Sequence, residues 1–408
     1  MKLHLSTRQT KLNASIAISG SKSESNRLLI LQRLVAGLQI ENLSDSDDSN
    51  HLQHALSTTN ELVDIGHAGT AMRFLTAYFS VKEGRAVVLT GSERMQNRPI
   101  AILVDALKSL GATISYEEKD GYPPIRIKGK QIRKKSVQIN GNVSSQYISA
   151  LMLIASSLPD GLEIELLGKI TSVPYIDMTL TLLKELGIEA SFVENKVTVQ
   201  PFKAEIEKTI VVESDWSSAS YFYSLIALSE LGSEVTLTAY KKDSLQGDSS
   251  LAEIYQHFGV ETTFGEHTIT ISKKEKASQN RLILDLKNAP DIAQTIAVTC
   301  FGLGIACSLT GLHTLKIKET DRLVALENEL TKLGGKISIT DESLDLEKSI
   351  QVNSNISIET YNDHRMAMAF APLALKVPIT ILDANVVTKS YQEFWKDMQQ
   401  IGFQIREE

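Results

Sequence analysis

The chain has 408 residues, of which 42% are hydrophobic and 22% are charged, as in ordinary globular proteins. Its formal net charge of −7 argues against broad binding to nucleic acid or to acidic membranes, so any cationic site must be local. Two cysteines are too few for a disulfide framework or a cysteine metal cluster, and no apolar run is long enough to cross a bilayer. We therefore expect a cytosolic protein with no secretory signal, metal or membrane partner.

A short polar or charged segment leads directly into an apolar, helix-like run at six places. After the first gap, successive openings lie roughly 70 to 75 residues apart, the scale of a supersecondary repeat. A helix start presents unpaired backbone N–H groups and the positive end of the helix dipole, so each opening is suited to bind an anion. The openings begin at Ser21, Ala68, Ser144, Asp215, Pro290 and Asn362.

Five apolar segments end in a glycine that leads into a strand-like alternation. Glycine is the expected residue just past a helix because it adopts the left-handed conformation cheaply. The stops are Gly111, Gly187, Gly259, Gly334 and Gly402. Each follows its opening by about 40 to 44 residues, which predicts a repeat of strand, helix, strand, helix, strand and strand.

The first copy of this repeat is cut short. The stretch from His51 to Leu56 begins its second helix, but the glycine stop and the hairpin are missing before Gly66. Six units exceed what one hydrophobic core usually holds, so we expect two domains of three units each. The first is predicted to span 20–211, and the second 212–408 together with the N-terminal strand in 1–19.

Three openings or loops concentrate charged side chains. Lys22 and Arg27 lie about one and a third helical turns apart, near one face. The segment 318–322 holds two cations and two carboxylates, and 362–365 has a similar form, with a capping aspartate and an arginine in the first turn. Each cation alone reads more readily as a solvated surface charge. Cations at corresponding points of several repeats favour a shared anionic cleft.

Asp291 has two interpretations that the residues alone leave open. It follows Pro290 at a helix start, where aspartate is a good N-cap. In a cleft beside Lys318 it would instead act as a base.

Five motifs occur in order along nearly the whole chain, from about Ser19 to Phe394. They are Gly20-Ser21-Lys22-Ser23-x-Ser25-Asn26-Arg27, Ala68-Gly69-Thr70-Ala71-Met72-Arg73, Arg94-Met95-x-x-Arg98-Pro99, Lys318-Glu319-Thr320-Asp321-Arg322 and Tyr361-Asn362-Asp363-His364-Arg365-Met366-Ala367. Together they resemble the 5-enolpyruvylshikimate-3-phosphate synthase family. The resemblance implies two inside-out α/β domains, each of three βαβαββ units, with the active site in the inter-domain cleft.

The resemblance also implies a reaction and its binding residues. The enolpyruvyl group of phosphoenolpyruvate would pass to the 5-hydroxyl of shikimate 3-phosphate, on the route to chorismate and the aromatic amino acids, and phosphate would be released. The residues implied for shikimate 3-phosphate are Lys22, Ser23, Arg27, Ser144, Ser145, Gln146, Ser172, Asp291 and Lys318. Those implied for phosphoenolpyruvate, and for the herbicide glyphosate that occupies the same site, are Lys22, Gly69, Arg98, Gln146, Arg322, Arg365 and Lys389.

The implied mechanism is addition followed by elimination through a tetrahedral ketal. Asp291 would take the proton of the attacking hydroxyl, with Lys318 stabilising charge, and either Glu319 or Lys22 would protonate the methylene carbon. No metal or organic cofactor is implied, because fixed cations stabilise the leaving phosphate. We expect a monomer whose partners are its two small-molecule substrates.

Some positions depart from the family pattern, and two other functions remain as alternatives. His67, Phe74, Ser214, Thr314 and Gln392 replace residues that are common in the family. One alternative is UDP-N-acetylglucosamine enolpyruvyl transferase, which usually carries a cysteine in the loop that corresponds here to 91–99; this loop has none. The other is a non-catalytic homologue that binds phosphorylated metabolites, which would not need carboxylates beside its cations.

Overall fold

A computed structural model of the chain describes residues 1–170 and 173–408. The chain divides into two compact units. Gly20–Val212 forms one, here called the continuous unit, and Met1–Ser19 with Glu213–Glu408 forms the other, the split unit. No helix in the described residues is long and apolar enough to cross a membrane.

The strands and helices are numbered in chain order. The strands are β1 Leu3–Ser6, β2 Asn13–Ile16, β3 Leu38–Glu41, β4 Leu62–Asp64, β5 Ala86–Thr90, β6 Thr113–Tyr116, β7 Ile125–Lys128, β8 Ser136–Asn140, β9 Leu162–Leu167, β10 Ala190–Val193, β11 Lys196–Val199, β12 Lys208–Val211, β13 Glu234–Thr238, β14 Val260–Phe264, β15 Thr268–Lys273, β16 Arg281–Asp285, β17 Ala306–Thr310, β18 Ile337–Ile339, β19 Leu344–Leu346, β20 Ile356–Ile358, β21 Ile379–Ile381 and β22 Gln404–Glu407. The α-helices are α1 Lys22–Leu34, α2 Asp47–Ser57, α3 Gly69–Val81, α4 Glu93–Gln96, α5 Ala101–Leu110, α6 Ser145–Ala155, α7 Val173–Glu185, α8 Trp216–Leu228, α9 Leu251–Ile254, α10 Ala293–Leu303, α11 Arg322–Lys332, α12 His364–Phe370 and α13 Phe394–Ile401. Short 3-10 helices cover Gly247–Ser250, Tyr255–Phe258, Pro290–Ile292, His313–Ile317, Ala371–Leu375 and Ala384–Lys389.

One sheet pattern recurs through the described part of the chain. In each four-stranded sheet a parallel pair is followed by two antiparallel neighbours, in the orders β4-β5-β7-β6, β8-β9-β11-β10, β2-β13-β15-β14, β16-β17-β19-β18 and β20-β21-β1-β22. The remaining sheet is the two-stranded parallel pair β3 and β12. This pattern is the predicted repeat, and the short sheet is its truncated first copy.

The N-terminal strand completes a sheet of the split unit. β1 pairs with β21 on one side and with β22 on the other, with Leu3 opposite both Ile381 and Glu407. The last repeat therefore draws its third strand from the opposite end of the chain.

The most apolar helices lie inside each unit. α3 and α6 in the continuous unit, and α8, α10 and α12 in the split unit, are buried at nearly every residue because their sequences are apolar or small at most positions. The strands alternate buried and more exposed residues, as in β9, so each sheet covers the helices with one face. This inside-out arrangement confirms the predicted fold class.

Helix ends follow the predicted chemistry, with one difference at α2. Gly111, Gly259 and Gly402 adopt positive φ at the helix ends, with φ values of 110°, 73° and 115°. The second helix of the first repeat starts at Asp47, before the predicted stretch at His51, because the Ser46 side chain caps it by accepting a hydrogen bond from the Ser49 N–H.

Lys273 is a buried lysine whose charge makes the stability of the split unit depend on pH. Its side chain is 4% exposed, and its Nζ donates to the carbonyls of Ala227 and Phe258 at 2.9 and 2.6 Å. Burial, with a smaller effect from Lys376, lowers the pKa of Lys273 to about 8. Between that value and about 10.4, the ordinary lysine pKa, the unfolded chain binds more protons, so stability rises with pH.

We expect this rise to disappear in Lys273→Met. Between about pH 8 and about pH 10.4, the wild-type free energy of unfolding should gain about 3 kcal/mol over the variant, at about 1.4 kcal/mol for each pKa unit. Urea denaturation across this range measures the difference. Lys274→Met, at the exposed neighbouring residue, is the control. If the difference in free energy of unfolding between wild type and Lys273→Met does not change with pH, the lowered pKa of Lys273 is contradicted.

Candidate functional site

Most of the predicted residues of the continuous unit lie at or near the starts of α1, α3 and α6. Lys22 is the first residue of α1, and its Nζ lies 3.4 Å from Oδ1 of Asp48 on α2. Ser21 occupies the N-cap of α1 without a side-chain capping hydrogen bond, and Ser23 is half-buried. The start of α1 therefore presents an ammonium group held by a carboxylate.

Arg27 lies one turn further along α1 and is 2% exposed. Its Nε donates to Thr179 Oγ1 at 2.7 Å, and its Nη2 donates to Ser149 Oγ at 3.0 Å. Burial lowers the pKa of Arg27 to about 10, so the guanidinium stays charged at neutral pH. Arg27 thus brings a positive charge into the interior and ties α1 to α6 and α7.

Gly69 is the first residue of α3 and packs directly against Arg98. A Cβ atom built at Gly69 would lie 2.6 Å from Nη1 of Arg98. Arg73 holds both segments, because its Nη1 donates to the Gly69 carbonyl at 3.0 Å and its Nη2 to the Pro99 carbonyl at 3.2 Å. A side chain at position 69 would therefore push the Arg98 guanidinium out of this position.

The start of α6 is joined to the start of α3. Ser144 caps α6 by accepting from the Gln146 N–H at 3.4 Å, and Gln146 Nε2 donates to Thr70 Oγ1 at 3.1 Å. Ser145 is buried at the first position of α6. The predicted ligand Ser172 lies outside the described residues.

In the split unit, Asp291 pairs with cations and does not cap α10. It lies in the 3-10 helix Pro290–Ile292, whose N-cap is Ala289. Its carboxylate is 2.9 Å from Arg322 Nη1, 3.3 Å from Arg365 Nη2 and 3.4 Å from Lys318 Nζ. Of the two interpretations that the residues left open, the geometry fits a carboxylate beside Lys318, and the N-cap interpretation is wrong.

Arg322 joins three carboxylates although it is only 1% exposed. Nε donates to Asp363 at 2.7 Å, Nη2 to Glu319 at 2.8 Å and Nη1 to Asp291. Burial alone lowers the pKa of Arg322, but the carboxylates of Asp363, Glu319 and Asp291 outweigh burial and raise it. We call Asp291, Lys318, Glu319, Arg322, Asp363 and Arg365 the carboxylate–arginine cluster.

The start of α12 supplies the rest of this cluster. Asp363 caps α12 as predicted, accepting from the Arg365 N–H at 2.8 Å. Arg365 is 9% exposed, and burial opposes its charge, but Asp291 and other neighbouring acidic groups raise its pKa. Lys389 donates from Nζ to the Asn362 carbonyl at 2.7 Å. All the residues predicted for the split unit thus gather around the starts of α10, α11 and α12.

Among the residues that hold the predicted ones in place, directly or through one other side chain, sequence reasoning gave no role to Asp48, Arg73, Ser217 and Asp248. In the continuous unit, Asp48 pairs with Lys22, and Arg73 holds the loop that contains Arg98. Ser217 contacts Arg365 in the split unit, and Asp248 contacts Ser217. Arg73 and Ser217 lie within quoted motifs or openings, which is a usable signal, whereas nothing in the pattern around Asp48 or Asp248 marks them.

Comparisons with known proteins agree on one family. The family described as EPSP synthase (3-phosphoshikimate 1-carboxyvinyltransferase) matches residues 49–398. The chain is 45% identical over 411 residues to the 3-phosphoshikimate 1-carboxyvinyltransferase of Bacteroides fragilis, covering 99% of this chain and 98% of that protein. It is 36% identical over 428 residues to the protein of the same name from Haemophilus influenzae, covering 96% of each.

A solved structure shows the same fold. EPSP synthase from Acinetobacter baumannii matches with a TM-score of 0.83 over 100% of both chains, at 20% sequence identity. With a family match over most of the chain and full-length relatives well above 30% identity, the chain belongs to the EPSP synthase (3-phosphoshikimate 1-carboxyvinyltransferase) family.

Proposed function

We propose that this chain transfers the enolpyruvyl group of phosphoenolpyruvate to the 5-hydroxyl of shikimate 3-phosphate and releases phosphate. The observation that carries the proposal is the carboxylate–arginine cluster, in which Asp291 lies within ion-pair distance of three cations. A site that only bound anions would gain nothing from carboxylates among its cations, whereas a site that also moves protons needs them.

Both proposed substrates carry several negative charges, which the cations of the two units are suited to bind. Charge-assisted hydrogen bonds from arginine to phosphate or carboxylate are strong and often bidentate. Phosphoenolpyruvate is assigned to Lys22, Gly69, Arg98, Gln146, Arg322, Arg365 and Lys389. Shikimate 3-phosphate is assigned to Lys22, Ser23, Arg27, Ser144, Ser145, Gln146, Ser172, Asp291 and Lys318.

The first chemical step is addition. Asp291 takes the proton of the 5-hydroxyl, whose oxygen bonds to the central carbon of phosphoenolpyruvate, and Glu319 or Lys22 gives a proton to the methylene carbon. Lys318, 3.4 Å from Asp291, stabilises the charge that develops on the attacking oxygen. The product is a tetrahedral ketal that still carries the phosphate.

The second step is elimination. The methyl carbon returns a proton to the Glu319 or Lys22 side chain that supplied it, the carbon–carbon double bond forms again, and the bond to phosphate breaks. The proton held by Asp291 leaves with the phosphate. The departing phosphate takes up negative charge, which fixed arginine and lysine side chains stabilise without solvent reorganisation. The residues assigned to the substrates come from both units, so we also propose that 20–211 and the split chain 1–19 with 212–408 act as the two domains of one monomeric enzyme.

A phosphate-release assay tests the proposal. Purified protein with saturating phosphoenolpyruvate and shikimate 3-phosphate is expected to release phosphate, and either substrate alone is not. Replacing shikimate 3-phosphate by UDP-N-acetylglucosamine separates the two acceptors. The names of the full-length relatives favour the first acceptor. No release under saturating conditions would reject the proposal, and release only with the nucleotide sugar would replace it.

Gly69→Ala is expected to weaken phosphoenolpyruvate selectively. The new methyl group would lie 2.6 Å from Arg98 Nη1 and displace the guanidinium. Losing one charged hydrogen bond should raise the dissociation constants of phosphoenolpyruvate and glyphosate by about tenfold or more. Titration calorimetry measures them, and shikimate 3-phosphate affinity is the internal control. Unchanged affinity for all three ligands would remove Gly69 from the site.

A further inference from the structure

A buried carboxylate outside the predicted site is linked to it through one hydroxyl. Asp248, in the 3-10 helix Gly247–Ser250, is 8% exposed, and its Oδ2 accepts a hydrogen bond from Ser217 Oγ. The same Ser217 oxygen accepts from Arg365 Nη2 at 3.2 Å, and that nitrogen lies 3.3 Å from Asp291 Oδ2. Asp248, Ser217, Arg365 and Asp291 therefore form one continuous chain.

The direction of these hydrogen bonds depends on the charge of Asp248. A serine hydroxyl has one proton and two lone pairs. Ionised Asp248 can only accept, so it accepts the hydrogen bond from the Ser217 hydroxyl and leaves the oxygen lone pairs of Ser217 for Arg365. Protonated Asp248 can donate to Ser217 and compete with Arg365 for the same oxygen.

We propose that Asp248 is a positioning residue of the reaction, which holds the Arg365 guanidinium against Asp291 through the Ser217 hydroxyl. The inference rests on the proposed function, because it assigns Asp248 to the binding of phosphoenolpyruvate by Arg365. Nothing in the chemistry requires Asp248 to touch a substrate.

The surroundings of Asp248 place its ionisation near neutral pH. The charged groups that face it are Asp291 on the 3-10 helix Pro290–Ile292, Arg365 on α12 and Asp215 at the start of α8. Burial, followed by repulsion from Asp291, raises the pKa of Asp248 to about 7, against the attraction of Arg365. The ionised Asp248 carboxylate, which accepts from Ser217, is therefore present above about pH 7 and is lost as the pH falls through that value.

Asp248→Asn tests the inference through the pH profile. At about pH 8 the variant should show a KM for phosphoenolpyruvate about tenfold higher than wild type, as for one weakened charged hydrogen bond, with KM for shikimate 3-phosphate changed less than about twofold. Wild-type kcat/KM for phosphoenolpyruvate should fall as the pH drops through about 7. The kcat/KM of the variant should lack this fall near pH 7, so that the kcat/KM values of the two enzymes converge at about pH 6.

Two Ser217 variants keep the test decisive if Asp248→Asn does not fold. Ser217→Ala removes the bridge and should raise the same KM, whereas Ser217→Thr keeps a hydroxyl and should restore most of the affinity. The matched control is Asp345→Asn. Asp345 also accepts from a serine, Ser308, beside an arginine, Arg281, but this trio lies on the exposed face of a sheet.

The outcomes separate the inference from the proposed function. A wild-type enzyme that releases no phosphate overturns the proposed function, and the inference with it. An active wild type, with Asp248→Asn and Ser217→Ala matching Asp345→Asn in KM and pH profile, overturns the inference alone.

Discussion

Asp291→Asn is expected to lower the rate of phosphate release by about a thousandfold, within the range of about 10²–10⁴ for loss of general base catalysis. Asparagine keeps the shape of the side chain but cannot take the proton of the attacking hydroxyl. It also removes the negative charge that three cations share, at 2.9 to 3.4 Å. Steady-state phosphate release measures the rate, and calorimetry should show that shikimate 3-phosphate still binds.

Asp341→Asn controls for the loss of an ion pair as such. Asp341 pairs with Lys316 at 2.6 Å, but its side chain is almost fully exposed, and removing it should leave the rate unchanged. A rate for Asp291→Asn equal to that of wild type would remove Asp291 from the role of base. Loss of shikimate 3-phosphate binding together with the rate would indicate a binding role instead.

Arg322→Met should be the most destabilising substitution in the carboxylate–arginine cluster. Arg322 is buried, and it neutralises Asp363, Glu319 and Asp291 at distances of 2.7 to 2.9 Å. Removing one partner of a buried ion pair leaves uncompensated charge and costs about 3–5 kcal/mol. For a unit of this size, that corresponds to a fall of about 10 °C in Tm. Thermal unfolding followed by circular dichroism measures it.

Two further variants isolate the charge effect. Arg281→Met removes an exposed arginine that pairs with Asp345 at 2.7 Å, and it should cost less than about 1 kcal/mol. Adding Asp363→Asn to Arg322→Met removes one of the stranded carboxylates and should recover part of the lost stability. If Arg322→Met and Arg281→Met have the same Tm, Arg322 is not needed to stabilise the carboxylates that it contacts.

Features that depend on neighbouring residues could be predicted from the sequence. Apolar periodicity and the glycines at positions such as Gly111 and Gly402 indicated the repeat, because a helix end with positive φ favours glycine wherever it occurs. The capping role of Asp363 followed in the same way. The start of α2 was misplaced because its cap, Ser46, lies outside the apolar pattern that marks the helix.

Contacts between distant segments could not be predicted from local pattern. Asp291 and Arg322 are 31 positions apart, and Asp248 and Ser217 are also 31 apart, with no repeat linking either pair. The residue types at 291 were equally compatible with a helix cap and with a base. Only the packing of the 3-10 helix beside α11 and α12 placed the carboxylate among cations.

The amino-acid sequence by itself determined the repeating βαβαββ architecture, the family and the chemical types present at the helix starts, since these depend on short-range spacing and on motif order. The tertiary structure alone decided which charges meet: Arg322 with three carboxylates, Arg98 against Gly69, and Asp248 with Arg365 through Ser217. The physical reason is that electrostatic and hydrogen-bond energies depend on distances of a few ångströms between side chains, and chain folding sets those distances.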